Sequence, residues 1–238
     1  MRSRLESLDL LANNIANVGT HGYKADREFY NLYRSTQATP GGPTQPDVER
    51  NWIDYSQGRL EETHKPLDVA LEGRGFFIAE SPGGPVYTRN GSFRVSLAGV
   101  LETQEGWPVR AVGRDAAGKP NTIKAPPGSE STLVIEPDGT VRSEGQALGR
   151  LDLADFARNE ALSKRGSGYF RLAGVSQIPS QAAEARVHQG RLESSNVAPA
   201  EAAVRLVTVM RQFEMLQRAL VLGGEMNRKA VEEVAKVS

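Results

Sequence analysis

The sequence contains no cysteine. That excludes disulfides, thiolate metal sites and cysteine nucleophiles. It also has no excess of charge of either sign, because 29 Lys and Arg balance 29 Asp and Glu. A dedicated nucleic-acid binder needs a basic surface, so nucleic acid is not an expected partner. Aromatic residues are only 6% of the chain, thin for a site that stacks sugars or other ligands. No run is long and apolar enough to span a bilayer. Met1 to Glu6 lack the apolar core and cleavage site of a signal peptide. His21, His64 and His188 lie far apart, and none has a His or Cys at ligand spacing. Gly73-Arg74-Gly75 lacks the third glycine and following helix of a dinucleotide fold. No Gly-x-Ser-x-Gly elbow, P-loop or EF-hand pattern is present. Metal, cofactor and small-molecule substrate are therefore not expected.

What is present is a chain of 238 residues, 39% apolar and 24% charged. That supports a packed core, and the length suggests one or two domains at about 150 residues each. The 24 glycines and 13 prolines imply many turns. The chain reads as a helical start, a β-rich middle and a helical end. Met1, Leu5, Leu8, Ala12 and Ile15 recur at alternating spacings of four and three, the seam of an amphipathic helix over about 1–18. Gly19 stands where a C-cap glycine would. Residues 35–47 hold Pro40-Gly41-Gly42-Pro43 and Pro46 and read as a linker.

Short apolar runs cut by turns fill the middle. Leu67-Asp68-Val69-Ala70-Leu71 and Phe76-Phe77-Ile78-Ala79 read as strands. Val86–Thr88 and Ser92–Val95 flank Asn90-Gly91, which predicts a hairpin. Leu133–Ile135 and Thr140–Arg142 flank Pro137-Asp138-Gly139, which predicts another. No long helical period interrupts them, so the middle is expected to be a compact antiparallel β domain rather than a parallel βαβ sheet.

The end, from about 199 to 236, reads as one helix. Leu206, Phe213 and Leu220 fall at heptad position a, and Val209 and Leu216 at d. Glu201–Arg205, Glu214–Arg218, Glu225–Lys229 and Glu232–Lys236 are all i,i+4 pairs in the favourable order. Val204, Val207, Met210, Met215, Val221, Leu222 and Val231 lie off that seam. One partner helix cannot bury both sets, so the surface fits a crowded assembly. Gly223-Gly224 interrupts it at about 1 kcal/mol per glycine relative to alanine, and marks a kink or tight crossing. The expected fold class is α+β. The terminal helices pair as a coiled-coil-like domain (1–34 with 191–238) around an inserted β domain (48–190).

Among polar residues, Asn13, Asn14 and Asn17 cluster at the end of the first helix, where asparagine is a mediocre helix former. Their amides either cap the fraying end or hydrogen-bond neighbouring chains or the connector. Asp152 with Asp155 and Glu61 with Glu62 are carboxylate pairs of the kind glycoside hydrolysis uses, but sequence proximity sets no separation across a cleft. Solvated surface is the simpler reading of both.

Four blocks in order resemble the bacterial flagellar rod and hook family. They are Leu11-Ala12-Asn13-Asn14-Ile15-Ala16-Asn17 with Gly22-Tyr23-Lys24; Gly58 and Leu60 with Pro66–Leu71 and Gly75-Phe76-Phe77; Tyr87–Phe93; and Leu192–Val197 running into Arg211–Met215. Arg211-Gln212-Phe213-Glu214-Met215 is more similar to proximal than to distal rod members, and the compact middle suits a rod subunit better than a hook protein. Ala198 departs from the family's Asn or Asp before the last helix, which makes a poor N-cap. The family also carries a further helical stretch ahead of the position of Met1, which implies a native chain longer by roughly three to four turns.

The resemblance implies a structural subunit of the basal-body rod, which spans the periplasm and transmits torque from motor to hook. It implies export through the flagellar type III apparatus without signal cleavage, and partners among rod subunits and copies of itself. It implies no catalysis. The assembly interface is expected at Leu5, Leu8, Asn13, Asn14, Ile15, Asn17, Leu206, Val209, Phe213, Leu216 and Leu220. The terminal helices are expected to be partly disordered in the monomer and to order on docking. The alternatives are a distal rod or hook-type subunit, an exported carbohydrate-active or peptidoglycan-processing enzyme, and a coiled-coil adaptor that does not polymerise.

Overall fold

A computed structural model of the chain describes residues 2–33, 45–116, 118–126, 128–129, 132–156, 162–166, 168–172, 179–182 and 184–237, with side chains except at 2–5, 28–51 and 230–237. The chain is α+β, with a helix towards each end and a β-rich body. It forms two units. A helical unit is drawn from 1–16, 26–52 and 198–238, and a β unit from 17–25 and 53–197.

In the helical unit, α1 (Arg2–Ala16) packs against α2 (Pro199–Val237). Strand Asp26–Tyr33 pairs with Gln45–Ile53 in a two-stranded sheet. Residues 34–44, most of the stretch read as a linker, lie outside the described residues. On α1, Ser7, Leu11 and Asn14 are buried, a helical spacing that differs from the Leu5–Leu8–Ala12–Ile15 seam. The 39 residues of α2 span roughly 60 Å. The helix runs on through Gly223 and Gly224, and a Cβ built at either meets nothing within 4 Å. The close crossing suggested by the pair is therefore not made among the described residues.

The cap expected at Gly19 is replaced by a turn in the β unit. The Thr20 N–H donates to the Asn17 carbonyl at 3.1 Å and the Thr20 hydroxyl to Asn17 Oδ1 at 3.2 Å. The left-handed glycine comes later, at Gly22 (φ 69°), where a Cβ would sit 2.3 Å from the Asn90 nitrogen.

A six-stranded antiparallel sheet centres the β unit, in the order 162–164, 169–172, 84–88, 76–81, 153–155, 180–181. Its central strand alternates between two cores. Phe77 joins Val69, Leu71, Leu101, Ile123, Val141, Leu151 and Val187 in the larger core, which small hairpins cover. Phe76 and Ile78 face the other way, with Tyr87, Phe156 and Phe170. Burial on both faces explains why 76–79 is a continuous apolar run rather than an alternating one. Phe76, Phe156 and Phe170 meet Tyr55 and Tyr87 in tilted and edge-on contacts with centroids 4.8–5.9 Å apart.

The hairpin at Pro137-Asp138-Gly139 forms, with Ile135 opposite Val141. Asp138 accepts from the Thr140 N–H at 2.9 Å, and Gly139 takes φ 85°. The hairpin predicted at Asn90-Gly91 does not form. Gly84–Thr88 pairs with Phe76–Ser81, and Phe93–Val95 pairs with Leu101–Thr103. Asn90 Oδ1 accepts from the Ser92 N–H at 3.1 Å, and the Val69 N–H donates to the Gly91 carbonyl at 3.0 Å. A Cβ on Gly91 would lie 1.7 Å from the Val69 oxygen. The glycine admits a close backbone approach between sheets instead of a type I′ turn.

Two short strand pairs bring the sequence ends of the β unit side by side. Val69–Glu72 pairs with Arg186–Gln189, and Leu60–Glu62 with Arg191–Glu193.

Candidate assembly surface and buried charge cluster

The residues singled out for assembly fall into distinct environments. Side chains at Leu5 lie outside those described. Leu8 and Ile15 are half-buried on α1, and Asn13 is exposed. Asn14 is buried and clamps its own chain. Its Nδ2 donates to the Asp26 carbonyl at 2.8 Å, and its Oδ1 accepts from the Asp26 N–H at 3.0 Å. One amide thus satisfies both backbone groups where the strand begins, a bond to the connector that was one of the alternatives open for Asn14. Asn17 serves the turn with Thr20.

On α2, Val209 is buried and Leu206 and Phe213 are half-buried, whereas Leu216 and Leu220 are exposed. A cleft of about 300 Å³ lies between α1, the strand after it and the first part of α2, lined by Leu10, Leu11 and Asn14 opposite Val204, Val209 and Gln212. Beyond it the large apolar side chains of α2 face solvent. Met215 is 61% exposed, Leu220 61% and Met226 66%. Val204, which lines the cleft, is exposed, as are Val207 and Met210. Monomers rarely leave so long a run uncovered, and such surface marks interaction.

Sequence reasoning missed three charged side chains that are almost fully buried. Glu193 is 0% exposed, Lys24 1% and Arg89 4%. Lys24 Nζ meets Glu193 Oε1 at 2.5 Å, and Arg89 Nη1 meets Oε2 at 3.3 Å. The Gly58 N–H also donates to Glu193 at 2.9 Å. Lys24 donates to the Ser56 carbonyl, Arg89 donates to the carbonyls of Gly73 and Leu71, and the guanidinium lies 5.3 Å from the Phe76 ring centre. Burial pulls the Lys24 ammonium and the Arg89 guanidinium below their ordinary pKa values, and the Glu193 carboxylate opposes that shift at both. Asn196 completes the cluster. It accepts from the Ala25 N–H at 2.7 Å and donates to the Asp54 carbonyl at 2.7 Å. Lys24, Gly58, Leu71, Phe76, Arg89, Glu193 and Asn196 belong to the motif blocks that carried the resemblance, whereas Ala25, Asp54, Ser56 and Gly73 do not. The signal was the charge of Lys24, Arg89 and Glu193 inside otherwise apolar or glycine-rich blocks, but their partners lie up to 169 positions away in sequence.

Two of the four carboxylates weighed for catalysis are engaged elsewhere. Glu62 pairs with Arg191 at 2.5 Å, and Asp155 lies 3.6 Å from Arg74 and accepts from the Phe156 N–H. Burial raises the Asp152 pKa against the pull of Arg110 and Arg150. Among the described residues no group of three or more His, Asp or Glu is placed to hold a metal ion. The exported-enzyme alternative finds no support in these side chains.

Three charged side chains brace the interior of the β unit, and the longer helix leaves large apolar side chains uncovered. Comparisons with known proteins point to a family. The flagellar hook protein FlgE/F/G D1 domain matches residues 70–143, and the flagellar basal body rod FlgEFG protein C-terminal family matches residues 188–233. The flagellar basal-body rod protein FlgF of Caulobacter vibrioides is 30% identical, over 97% of this chain and 93% of its own. FlgG of Borreliella burgdorferi is 30% identical, over 92% and 90%, and FlgF of Salmonella typhimurium 31% identical, over 88% and 84%. The chain belongs to the flagellar basal-body rod protein family and is a structural subunit of that class.

Proposed function

We propose that this subunit is FlgF-like, and that it polymerises through α1 and α2 with copies of itself and with other rod subunits. In this reading α1 and α2 pair in the manner of a coiled coil and build the shaft. Contact between unlike surfaces of successive copies generates an open helical polymer. The finished rod crosses the periplasm and carries torque from motor to hook, and the subunit reaches it through the flagellar type III apparatus with its sequence uncleaved. The work is packing, not catalysis.

The observation that carries this reading is the exposed apolar run on α2 from Met215 to Met226. Its burial against neighbours supplies roughly 1.5–3 kcal/mol for each large side chain that becomes fully covered. Phe213, Leu216 and Leu220 are the residues on which assembly depends, with Leu5, Leu8, Asn13 and Ile15 contributing from α1. The test is sedimentation and electron microscopy of the full chain with partner rod proteins. Wild type is expected to form rod-like oligomers and to gain helical circular dichroism as it does. Phe213→Asp is expected to abolish both, with the strand signal of the β unit intact. Oligomers that persist in Phe213→Asp and in Leu220→Asp would overturn the assignment of this face.

A further inference from the structure

The buried cluster does something that no single ion pair needs to do. Lys24 stands on the segment that follows α1 in sequence, and Glu193 and Asn196 stand on the segment that precedes α2. These two segments, here called roots, belong to the β unit and bond directly to each other. The Gly22 N–H donates to the Glu193 carbonyl at 2.7 Å, the Asn196 N–H to the Tyr23 carbonyl at 3.4 Å, and the Ala25 N–H to Asn196 Oδ1 at 2.7 Å. The Glu193 carboxylate is shared, with Oε1 on Lys24 of one root and Oε2 on Arg89 of the body. A third segment is threaded through the same groups. Asp54 donates its N–H to Ala25 and gives its carbonyl to Asn196, while Ser56 accepts from Lys24 and Asn196.

We infer that Lys24, Arg89, Glu193 and Asn196 form a clamp that couples the two roots, so that neither can detach from the β unit without releasing the other. The physical reason is desolvation. Withdrawing Lys24 leaves a fully buried carboxylate with one of its two cations, and withdrawing the Glu193 segment strands two buried cations. Either event also removes the acceptors or donors of backbone groups on the opposite root, which are costly to leave unpaired. Local opening therefore proceeds through both roots as one cooperative unit rather than through each separately. Load or fluctuation arriving along one terminal helix is shared by both attachments. The clamp is a property of the β unit and stands whether or not α2 is the polymerising face.

Native-state amide exchange on the full chain tests this. Lys24→Met removes the charge from the first root, keeps the apolar stem and leaves Glu193 on Arg89. Asn196→Ala perturbs the second root without burying a lone charge. Lys24→Met is expected to speed exchange at Ser194 and Asn196, and Asn196→Ala at Gly22 and Gly58, each by at least about fivefold, the lower end of ordinary coupling between sites. The Ile78 and Val86 amides in the central sheet are expected to keep their wild-type rates. Exchange that stays unchanged at the opposite root in both variants would sink the inference. So would equal acceleration at the roots and in the central sheet, which would reduce the cluster to a contributor to global stability.

Discussion

Asn14 and Gly91 show how much a single residue type can settle. The Asn14 amide answers the Asp26 N–H and carbonyl together, at 3.0 and 2.8 Å. Asn14→Ala leaves both backbone groups to find water, and the expected loss is about 1–3 kcal/mol, read as a lower thermal midpoint for helical circular dichroism. Gly91 has no room for a methyl group, because Val69 oxygen would lie 1.7 Å from its Cβ. Gly91→Ala must push the two backbones apart, at an expected cost of about 3 kcal/mol or more. Urea unfolding followed by near-ultraviolet signals checks it, and a midpoint equal to wild type would show that the approach relaxes freely. Gly91 was visible in the sequence as notable, but for another reason. Asn90-Gly91 carries a strong hairpin signal, and only the neighbouring Val69 strand converts it into a crossing.

At the level of elements, α2 was legible almost to the residue, because heptad spacing and four i,i+4 pairs agree and nothing competes with them. The strand at 133–135 and its turn were equally plain, since Asp138 and Gly139 do what their local chemistry favours. The partners of strands were not legible. Val86–Thr88 pairs with the strand before it and not with the one after, because pairing is chosen by which faces both cores can bury. In α2, Gly223 and Gly224 have open space around them and lie in helix. Gly223→Ala and Gly224→Ala are each expected to stabilise the helix by about 1 kcal/mol, seen as greater helicity of the unassembled chain at raised temperature. A simultaneous loss of polymerisation would place a neighbouring chain against that glycine pair.

Across the β unit, buried phenols set an alkaline limit. Burial raises the Tyr87 pKa, and burial together with the hydrogen bond to Glu105 raises that of Tyr169. In the unfolded chain these phenols ionise near pH 10. The folded state therefore holds more protons above that pH, so stability is fully present below about pH 10 and falls as pH climbs past it. Urea midpoints measured from neutral to strongly alkaline pH should decline over that range. Tyr169→Phe should flatten the decline, and a slope unaltered by Tyr169→Phe and Tyr87→Phe would assign the effect to other groups.

The sequence by itself determined the class of elements, the turn at Asp138-Gly139, the length of α2 and the family, because each rests on spacing or on motifs read in order along the chain. The tertiary structure alone decided which strands pair, that Asn14 serves its own chain, and that Lys24, Arg89 and Glu193 share one buried site. Those outcomes depend on groups far apart in sequence competing for the same dry space, where an unpaired charge or backbone group is expensive. No local pattern carries that competition; it is resolved only when the two cores and the two roots close together.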